Sequence, residues 1–230
     1  MKTTLFIPVL NEIEGLKVIM PKIKREWVDE IIIVDGHSTD GTREYLTEHG
    51  FPFLDQKQRG LFSAWWQGFE AATGDVIIPF SPDGNSVPEV IPELVAKMRE
   101  GYDMVMASRY LGPAKSEDDG VATSIGNFLF TRTINVLFGG HYTDALGMYR
   151  AFRKEILYSL KLDRHKADVF EVLLSIRAAK YKLKIGEIPG DEPPRIGDQT
   201  SRAWPGLIGR ARGASLMIKL FVREFFTRKE

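Results

Sequence analysis

The turn at residues 81–85 carries the side chains in this sequence that are best suited to chemistry. Asp83 and Asn85 lie two residues apart and directly follow the apolar run 76–80, which predicts a buried strand. A carboxylate and a carboxamide supply hard oxygen ligands that suit Mg²⁺ or Mn²⁺. A Pro-Asp-Gly sequence is also common in a tight bend that binds no ligand. The rest of the chain must decide between a cation site and a simple turn.

Other polar side chains follow apolar runs in the same way. Asp35 comes directly after the β-branched run 31–34, and Arg109 follows the apolar run 104–107. In open α/β sheets, ligands bind beyond the carboxyl ends of the strands, which lie at one edge. The side chains that we expect to converge at this edge are those of Leu10, Asp35, Asp83 and Arg109.

The spacing of apolar residues predicts that strands and helices alternate along the chain. Continuous β-branched runs are typical of strands buried on both faces, and residues with helical spacing separate these runs. The predicted strands are 3–8, 31–34, 51–55, 76–80, 104–107 and 183–188, with a strand or bend at 143–152. The predicted helices are 13–24, 42–49, 61–72, 88–100, 124–138, 169–180 and 207–226. This order predicts an α/β fold with a mostly parallel sheet flanked by helices.

Length and composition are typical of one globular domain and give no reason to expect nucleic-acid binding. The 230 residues have a formal net charge of zero and contain no cysteine. Disulfides and thiolate metal sites are therefore excluded, and the lack of cysteine is compatible with a reducing cytoplasm. The apolar stretch 121–143 contains Arg132, which would cost about 2.5–3.5 kcal/mol at a membrane centre, so we interpret it as a buried or groove-lining helix. The short, polar-flanked amino terminus does not resemble a signal peptide.

Five segments, taken in order, resemble glycosyltransferase family 2, and within it the polyprenyl-phosphate mannose and glucose synthases. The segments are residues 7–12, 34–42, 81–85, 107–110 and 143–153. The resemblance implies a GT-A fold and an inverting transfer of a sugar from a nucleoside-diphosphate sugar, assisted by Mg²⁺ or Mn²⁺. It implies a polyprenyl phosphate or a glycan hydroxyl as acceptor, in cell-surface glycan assembly. Because the sequence has neither a Walker A nor a Gly-x-Gly-x-x-Gly motif, a metal or arginines must hold the phosphates.

The resemblance assigns the loops after the first strands to the nucleotide sugar. Asp83 matches the second aspartate of the family's Asp-x-Asp motif and would hold the metal on the diphosphate together with Asn85. Asp35 would face the base, and Pro8 would line the base and ribose with its neighbours. The nucleotide-sugar-binding residues implied in this way are Pro8, Leu10, Glu12, Asp35, Arg59 and Asp83.

The resemblance also implies catalytic and acceptor-side residues. Arg109 would reach toward phosphate, and Asp144 falls where the family has an aspartate near the reacting carbon of the sugar. Asp144 would act as a base or orient the sugar; only a hydroxyl acceptor needs a base, because a phosphate is already anionic. The acceptor-side residues are Glu171, Arg195 and Arg202. Glu171 could instead cap its helix, and we interpret Asp40 as a helix cap.

Three departures from the family pattern leave other functions open. Ser81 replaces the first aspartate of the Asp-x-Asp motif, and Gly36-His37 replaces an aspartate of the second segment. Acidic residues 117–119 stand where polyprenyl-phosphate synthases carry an arginine. A catalytically degenerate protein that binds a nucleotide sugar or glycan is therefore an alternative. A nucleotidyltransferase is a third hypothesis, and the lack of a glycine- and lysine-rich first loop argues against it.

The sequence pattern at the end of the chain predicts an amphipathic helix that follows the main domain. We divide the chain into a catalytic domain, 1–204, and this helix, 205–230. Its apolar face and its arginines suit packing on the domain, docking on a membrane surface or docking on a second subunit. The protein would then be cytoplasmic, free or peripheral on the inner face of the membrane. The arginines of this end of the chain that could form its basic face are Arg195 and Arg202, which precede the helix, and Arg210 and Arg212 within it.

Overall fold

A computed structural model describes the backbone of residues 1–162, 170–197 and 206–227, and in the last range the side chains of 209 and 212–227. The described strands belong to one seven-stranded sheet. They are β1 Thr3–Val9, β2 Glu30–Asp35, β3 Phe53–Asp55, β4 Val76–Pro79, β5 Met104–Ser108, β6 Arg150–Arg153 and β7 Ile185–Pro189. The predicted α/β class is therefore confirmed.

The described helices follow the predicted order with two local differences. They are α1 Ile13–Ile19, α2 Thr42–Glu48, α3 Leu61–Ala71, α4 Ile91–Arg99, α5 Val121–Phe138, α6 Ile156–Ser159, α7 Phe170–Lys180 and α8 Gly206–Phe226. The prediction of one helix over 13–24 was wrong, because α1 ends before Pro21, which lacks a backbone N–H, and short 3₁₀ turns follow. The short α6 was not predicted from the sequence.

The strand directions bring the predicted loops to one edge of the sheet. The strand order is β3-β2-β1-β4-β6-β5-β7. β6 runs antiparallel to both β4 and β5, and the other pairs are parallel. β4 and β5 therefore point the same way as β1 and β2. The predicted convergence of the loops after these four strands is confirmed.

Each face of the sheet carries its own apolar core. On one face, the ring of Phe6 in β1 lies 5.4 Å from that of Phe69 in α3. A Cβ at Gly68 would lie 2.1 Å from the Phe6 ring, so only glycine lets α3 pack this closely. On the other face, α1, α2 and α4 bury Leu16, Leu46 and Leu94. The two layers hold the sheet rigidly under the loops at its edge.

Helix α8 packs against α5 and α7 through a buried apolar and ionic contact. Phe221 is buried, and its ring lies 5.7 Å from that of Phe130 in α5. Glu224 is 1% exposed and accepts two hydrogen bonds from Arg177 of α7, at 2.9 and 3.0 Å. None of the described helices combines the length and apolar character needed to cross a membrane. The division into 1–204 and 205–230 stays a prediction.

Removing the Glu224 carboxylate is expected to loosen α8. Glu224→Ala would remove the carboxylate that accepts two hydrogen bonds from the buried Arg177, and a hydrogen bond to a charged group contributes about 1.5–3 kcal/mol to stability. Burial would raise the pKa of Glu224, but its hydrogen bonds to Arg177 hold that pKa below the ordinary value of 4.5. The stabilisation is therefore present above pH 4.5 and is lost as pH falls through the lowered pKa. Hydrogen exchange of 206–227 at two pH values measures both effects; unchanged exchange in the variant would contradict them.

Candidate active site

Side-chain hydrogen bonds tie the loop after β1 to the loop after β2. The backbone N–H of Asn11 donates to Ser38 Oγ at 2.9 Å, and the N–H of Thr39 donates to Asn11 Oδ1 at 2.9 Å. The N–H of Glu12 donates to Thr42 Oγ1 at 3.0 Å. Asp40 accepts from the backbone N–H groups of Ile13 and Thr42, the first residues of α1 and α2, while the N-cap residue of α2 is Gly41. The two loops thus form one unit at the sheet edge.

Asp35 is fully buried and engaged by the protein itself. Its carboxylate accepts backbone hydrogen bonds from His37 and Ser38 and a side-chain bond of 2.6 Å from Arg43. Arg43 also binds Asp55 at 2.6 Å. Sequence reasoning missed Arg43, because it lies within the helix α2 and not in a loop. The carboxylate of Asp35 is therefore held rigidly at the end of β2.

The turn after β4 is pressed against α1. A Cβ at Gly15 would lie 2.2 Å from the carbonyl oxygen of Pro82, so glycine is needed at this crossing. Asp83 is 6% exposed, and its Oδ1 accepts from the backbone N–H of Asn85 at 3.1 Å. Its Oδ2 lies 3.4 Å from Nη1 of Arg195. The Asp83 carboxylate therefore faces a cationic group of the chain.

Within the part of the chain that the structure describes, three buried polar atoms around Asp83 have no hydrogen-bond partner. They are Oδ1 and Nδ2 of Asn85 and Nε of Arg195. Arg195 Nε lies 3.6 Å from Asp118 Oδ2, beyond hydrogen-bond reach. Leaving a buried polar atom unpaired costs about 1–3 kcal/mol. Such a cluster beside one carboxylate indicates the binding position of a polar ligand.

Glu12 adds a second carboxyl group to the surroundings of Asp83. Burial and the nearby charge of Asp83 raise the pKa of Glu12 to about 7, and the charge of Arg195 opposes that rise. Close to neutral pH, Glu12 thus exchanges between its neutral and charged forms. The site carries less fixed negative charge than its count of carboxyl groups suggests.

The donor set at the β4 turn fits a divalent cation only when phosphate oxygens complete it. Asp83 offers a carboxylate and Asn85 an unpaired carboxamide. The described part of the chain contains no group of three His, Cys, Asp or Glu side chains that could hold a metal by itself. Mg²⁺ is commonly bound by one or two carboxylates together with substrate phosphates. Asp83 and Asn85 match that arrangement.

Arg109 and Asp144 form a buried two-point ion pair. Arg109 Nε and Nη2 donate to Asp144 Oδ2 and Oδ1 at 2.6 and 3.0 Å. Burial would raise the pKa of Asp144, but the hydrogen bonds and charge of Arg109 hold it below the ordinary value. Arg109 Nη1 lies 3.2 Å from Glu192 and 3.5 Å from Asp119. Asp144 is thus an anion that fixes the orientation of a guanidinium surrounded by carboxylates.

Sequence reasoning missed Glu192 and Asp119 as partners of Arg109. β5 and β7 are parallel, and Ser108 pairs with Pro189 at their ends. The residues just beyond these ends must therefore lie side by side, which places Glu192 against Arg109. Because this pairing is a tertiary contact, no local sequence pattern could have found Glu192.

One segment, 192–196, joins the two charged centres. Glu192 contacts Arg109, and Arg195 contacts Asp83. The backbone N–H of Ile196 donates to the carbonyl oxygen of Asp83 at 2.7 Å. The turn after β4 and the end of β5 thus belong to one site that this segment crosses.

The remaining predicted site residues lie in different settings. Leu10 is 55% exposed at the end of β1, and Arg59 is exposed just before α3. Glu171 lies in the first turn of α7, where burial raises its pKa and its carbonyl oxygen accepts from Arg150. Arg195, predicted on the acceptor side, contacts Asp83. Arg202 falls outside the described residues.

Comparisons with known proteins agree with the geometry. The family model described as Glycosyl transferase family 2 matches residues 4–160. An undecaprenyl-phosphate 4-deoxy-4-formamido-L-arabinose transferase from Pectobacterium atrosepticum is 34% identical over 197 residues, 78% of this chain and 57% of the relative. A dolichol-phosphate mannosyltransferase from Pyrococcus furiosus is 28% identical over 205 residues, 82% of this chain and 56% of the relative. The chain spans little more than half the length of these curated relatives.

Solved structures share the fold at low sequence identity. Glucosyl-3-phosphoglycerate synthase from Mycobacterium tuberculosis, with Mn²⁺, UDP and glucosyl-3-phosphoglycerate, gives a TM-score of 0.72 at 18% identity. The match covers 100% of this chain and 81% of that one. The same enzyme with Mg²⁺ and UDP also gives 0.72 at 18% identity, with the same coverage. The predicted fold is confirmed by these likenesses.

Proposed function

Because this chain belongs to glycosyltransferase family 2, we propose that it transfers a sugar, with inversion, from a nucleoside-diphosphate sugar to an acceptor in cell-surface glycan assembly. The observation that carries the proposal is the buried, unpaired carboxamide of Asn85 beside the carboxylate of Asp83. These two groups lie at the carboxyl end of β4, where open α/β sheets bind ligands. They supply the oxygen ligands for a cation shared with a diphosphate.

The loops after β1 and β2 would hold the nucleoside. Asp35 and Glu12 would bind it by hydrogen bonds, and Pro8 and the exposed Leu10 would cover its flat faces. The Arg43 bond keeps Asp35 in place. Arg59 lies exposed ahead of α3 and would reach the same ligand from the loop after β3. This arrangement is supported by the hydrogen bonds that join the first two loops.

Asp83 and Asn85 would hold Mg²⁺ or Mn²⁺ against the diphosphate. Such a cation, when bound, stabilises the negative charge that develops on the leaving diphosphate. Arg195 would supply further positive charge, since its guanidinium already faces Asp83 at 3.4 Å. The neighbouring synthase that binds Mn²⁺ or Mg²⁺ together with UDP supports the same ligand pair.

Asp144 and Arg109 would act at the reacting end of the sugar. Asp144 fixes the guanidinium of Arg109 by two hydrogen bonds, so that its third nitrogen, Nη1, is directed at Glu192 and Asp119. A preoriented cation of this kind stabilises developing negative charge without reorganisation. We assign Asp144 the positioning of Arg109; removal of a proton from a hydroxyl acceptor is the competing role that the two acceptors distinguish.

Two acceptor classes are supported by different observations. The curated relatives transfer to undecaprenyl or dolichyl phosphate by their names. In contrast, Asp118 and Asp119 stand beside Arg195 and Arg109 and already balance part of their charge, which favours a neutral hydroxyl. A polyprenyl phosphate and a glycan hydroxyl are therefore the two acceptors to compare in parallel assays.

A screen of donors tests the proposal directly. Melting temperature is measured with nucleoside diphosphates and their sugars, with and without Mn²⁺, and the stabilising donors are assayed for transfer and slow hydrolysis. We expect one donor to stabilise the protein in the presence of Mn²⁺ and to turn over. Binding without hydrolysis or transfer would favour the degenerate binding protein, and pyrophosphate release from a nucleoside triphosphate would favour a nucleotidyltransferase.

Helices α5 and α8 expose a joint apolar and basic surface that we propose docks on an anionic membrane. α5 contains no acidic residue, and Glu224, the acidic residue of α8, is buried. Arg132, Arg212 and Lys219 are exposed on the same two helices. Basic amphipathic surfaces bind anionic lipid in this way. The exposed large apolar residues of the two helices are Val121, Ile125, Phe128, Leu129, Val136, Leu137, Ile218, Val222, Phe225 and Phe226.

Placing negative charge on this surface is expected to weaken docking. Phe128→Glu with Leu129→Glu should lower the protein's binding to phosphatidylserine vesicles about tenfold. The double substitution removes exposed apolar area that docking would bury in the lipid, and it adds repulsion between like charges. Val18→Glu, at an exposed apolar residue of α1 on the other face of the sheet, is the matched control. Cosedimentation and native mass are measured together. Loss of a dimer without vesicle binding would assign the surface to a second subunit.

A further inference from the structure

Glu187 of β7 accepts hydrogen bonds from the loop that carries Asp144. Its Oε1 accepts from the backbone N–H of Thr143 at 2.9 Å and of Asp144 at 3.2 Å. Its Oε2 accepts from Thr143 Oγ1 at 3.0 Å. Burial raises the pKa of Glu187, and these donors oppose the rise. One side chain thus holds the start of the Asp144 loop to the sheet.

The hydrogen bonds continue from Thr143 to the end of β5. Thr143 Oγ1 and Ser108 Oγ lie 2.6 Å apart. A hydroxyl has one hydrogen to donate, and that of Thr143 is used toward the Glu187 carboxylate. The Ser108 hydroxyl must therefore donate to Thr143, while Ser108 Oγ accepts from the backbone N–H of Tyr110 at 3.3 Å. The direction of every bond in the chain Glu187–Thr143–Ser108 is set by the carboxylate.

This chain of bonds ends next to both partners of the buried ion pair. Thr143 precedes Asp144, and Ser108 precedes Arg109. The other end of the same loop is held separately, because the buried Arg150 donates to the carbonyl oxygen of Gly147. With both ends fixed, the position of Asp144 relative to Arg109 depends on Glu187 at one end and on Arg150 at the other.

We propose that Glu187 is a positioning residue for the transfer step. Through Thr143 and Ser108 it fixes the relative position of Asp144 and Arg109, and it contacts neither the sugar donor nor the acceptor. The effect of Glu187 on sugar transfer rests on the proposed function, but its effect on the position of Asp144 does not. Loss of Glu187 removes the only described acceptor of the Thr143 N–H and frees the loop start. The Asp35 and Asp83 loops, on other strands, keep their own contacts.

A cavity behind Glu187 provides matched control positions. It has a volume of about 630 Å³, and Glu187, His141 and Lys182 are among the residues that line it. Lys182 and His141 are exposed and do not take part in the Glu187–Thr143–Ser108 chain. Lys182→Ala therefore changes the same cavity wall and leaves the positioning contacts intact.

Hydrogen exchange tests the positioning independently of any activity. In the 230-residue chain, Glu187→Gln and Thr143→Val are expected to raise amide exchange at 109 and 143–147 at least about tenfold. Exchange at 35–38 and 83–85 should stay within twofold of the wild type. Thr143→Ser, which keeps the hydroxyl, should restore protection. Equal exchange at 143–147 in the wild type and Glu187→Gln would overturn the proposal.

Kinetics with the donor found by the screen tests the link to transfer. Glu187→Gln is expected to lower kcat about 10- to 100-fold and to leave the Kd for the corresponding nucleoside diphosphate within twofold. Thr143→Val should behave like it, while Thr143→Ser and Lys182→Ala should keep at least half of the wild-type kcat. A matching loss of nucleotide affinity, or of melting temperature by more than about 10 °C, would mean a merely structural role and overturn it. A wild type without any turnover would instead contradict the proposed function.

Discussion

Asp83→Asn is expected to lower sugar transfer about 100- to 1,000-fold and to abolish the stabilisation that Mn²⁺ adds to nucleoside-diphosphate binding. The substitution keeps the size of the side chain and its acceptor for the Asn85 N–H, but it removes the negative charge. A group that stabilises leaving-group charge contributes about 10²- to 10³-fold to turnover. The measurements are turnover and the melting-temperature shift with UDP or another screened nucleotide, with and without Mn²⁺.

Asp118→Asn is the matched control for this experiment. Asp118 also pairs with Arg195, at 3.6 Å, but belongs to the loop before α5 and not to the turn after β4. If Asp83 served only to hold Arg195, both variants would lose activity equally and both would keep the Mn²⁺ response. If Asp83 holds the cation, only Asp83→Asn loses that response. A full, metal-dependent turnover in Asp83→Asn would show that the assigned cation site is wrong.

In the proposed cation site, the residues around Asp83 would let a single aspartate serve where the family has two. Ser81 replaces one carboxylate, and burial raises the pKa of Glu12, the second carboxyl group beside Asp83, to about 7. The turn is therefore less acidic than the family pattern. Less negative charge from the protein leaves the cation more dependent on the diphosphate. Binding of metal and nucleotide should accordingly be strongly coupled.

The elements around the site were predictable where the sequence pattern is local. The run 31–34 is continuously β-branched, as a strand buried on both faces requires, and β2 covers it. The stretch 143–152 has no such pattern, and only Arg150–Arg153 forms a strand. Its antiparallel insertion between β4 and β5 depends on tertiary packing. Periodicity carries no information on that choice of neighbours.

The charged contacts of the site were not predictable for a related reason. Arg109 and Glu192 are 83 residues apart in sequence, and Arg195 reaches Asp83 from a Pro/Gly-rich segment. The family resemblance implied that Arg109 reaches toward phosphate and that Arg195 lies on the acceptor side. The parallel pairing of β5 with β7 brings Glu192 to Arg109, and the bond from the Ile196 N–H to the Asp83 carbonyl oxygen brings Arg195 to Asp83. Strand order, which sequence leaves open, therefore decides the electrostatics of the site.

Asp144→Asn is expected to lower kcat about 10²- to 10⁴-fold with little change in nucleotide affinity. Asparagine keeps one acceptor for Arg109, but its amide group faces another donor, so the two-point contact is lost. Arg109→Lys should have a similar effect, because an ammonium cannot bind both carboxylate oxygens in this geometry. Melting temperature and nucleotide binding by calorimetry check that the fold and the donor site persist. A variant with unchanged kcat would remove Asp144 from the reaction.

The double variant separates the two roles of Asp144. If Asp144 acts only by fixing Arg109, the Asp144→Asn and Arg109→Lys losses report one contact, and combining them should cost little more than either alone. If Asp144 also removes a proton, its loss should exceed that of Arg109→Lys with a hydroxyl acceptor and equal it with a phosphate acceptor. The low pKa of Asp144, held down by Arg109 despite burial, makes it a weak base. We therefore expect non-additive losses that are the same for both acceptors.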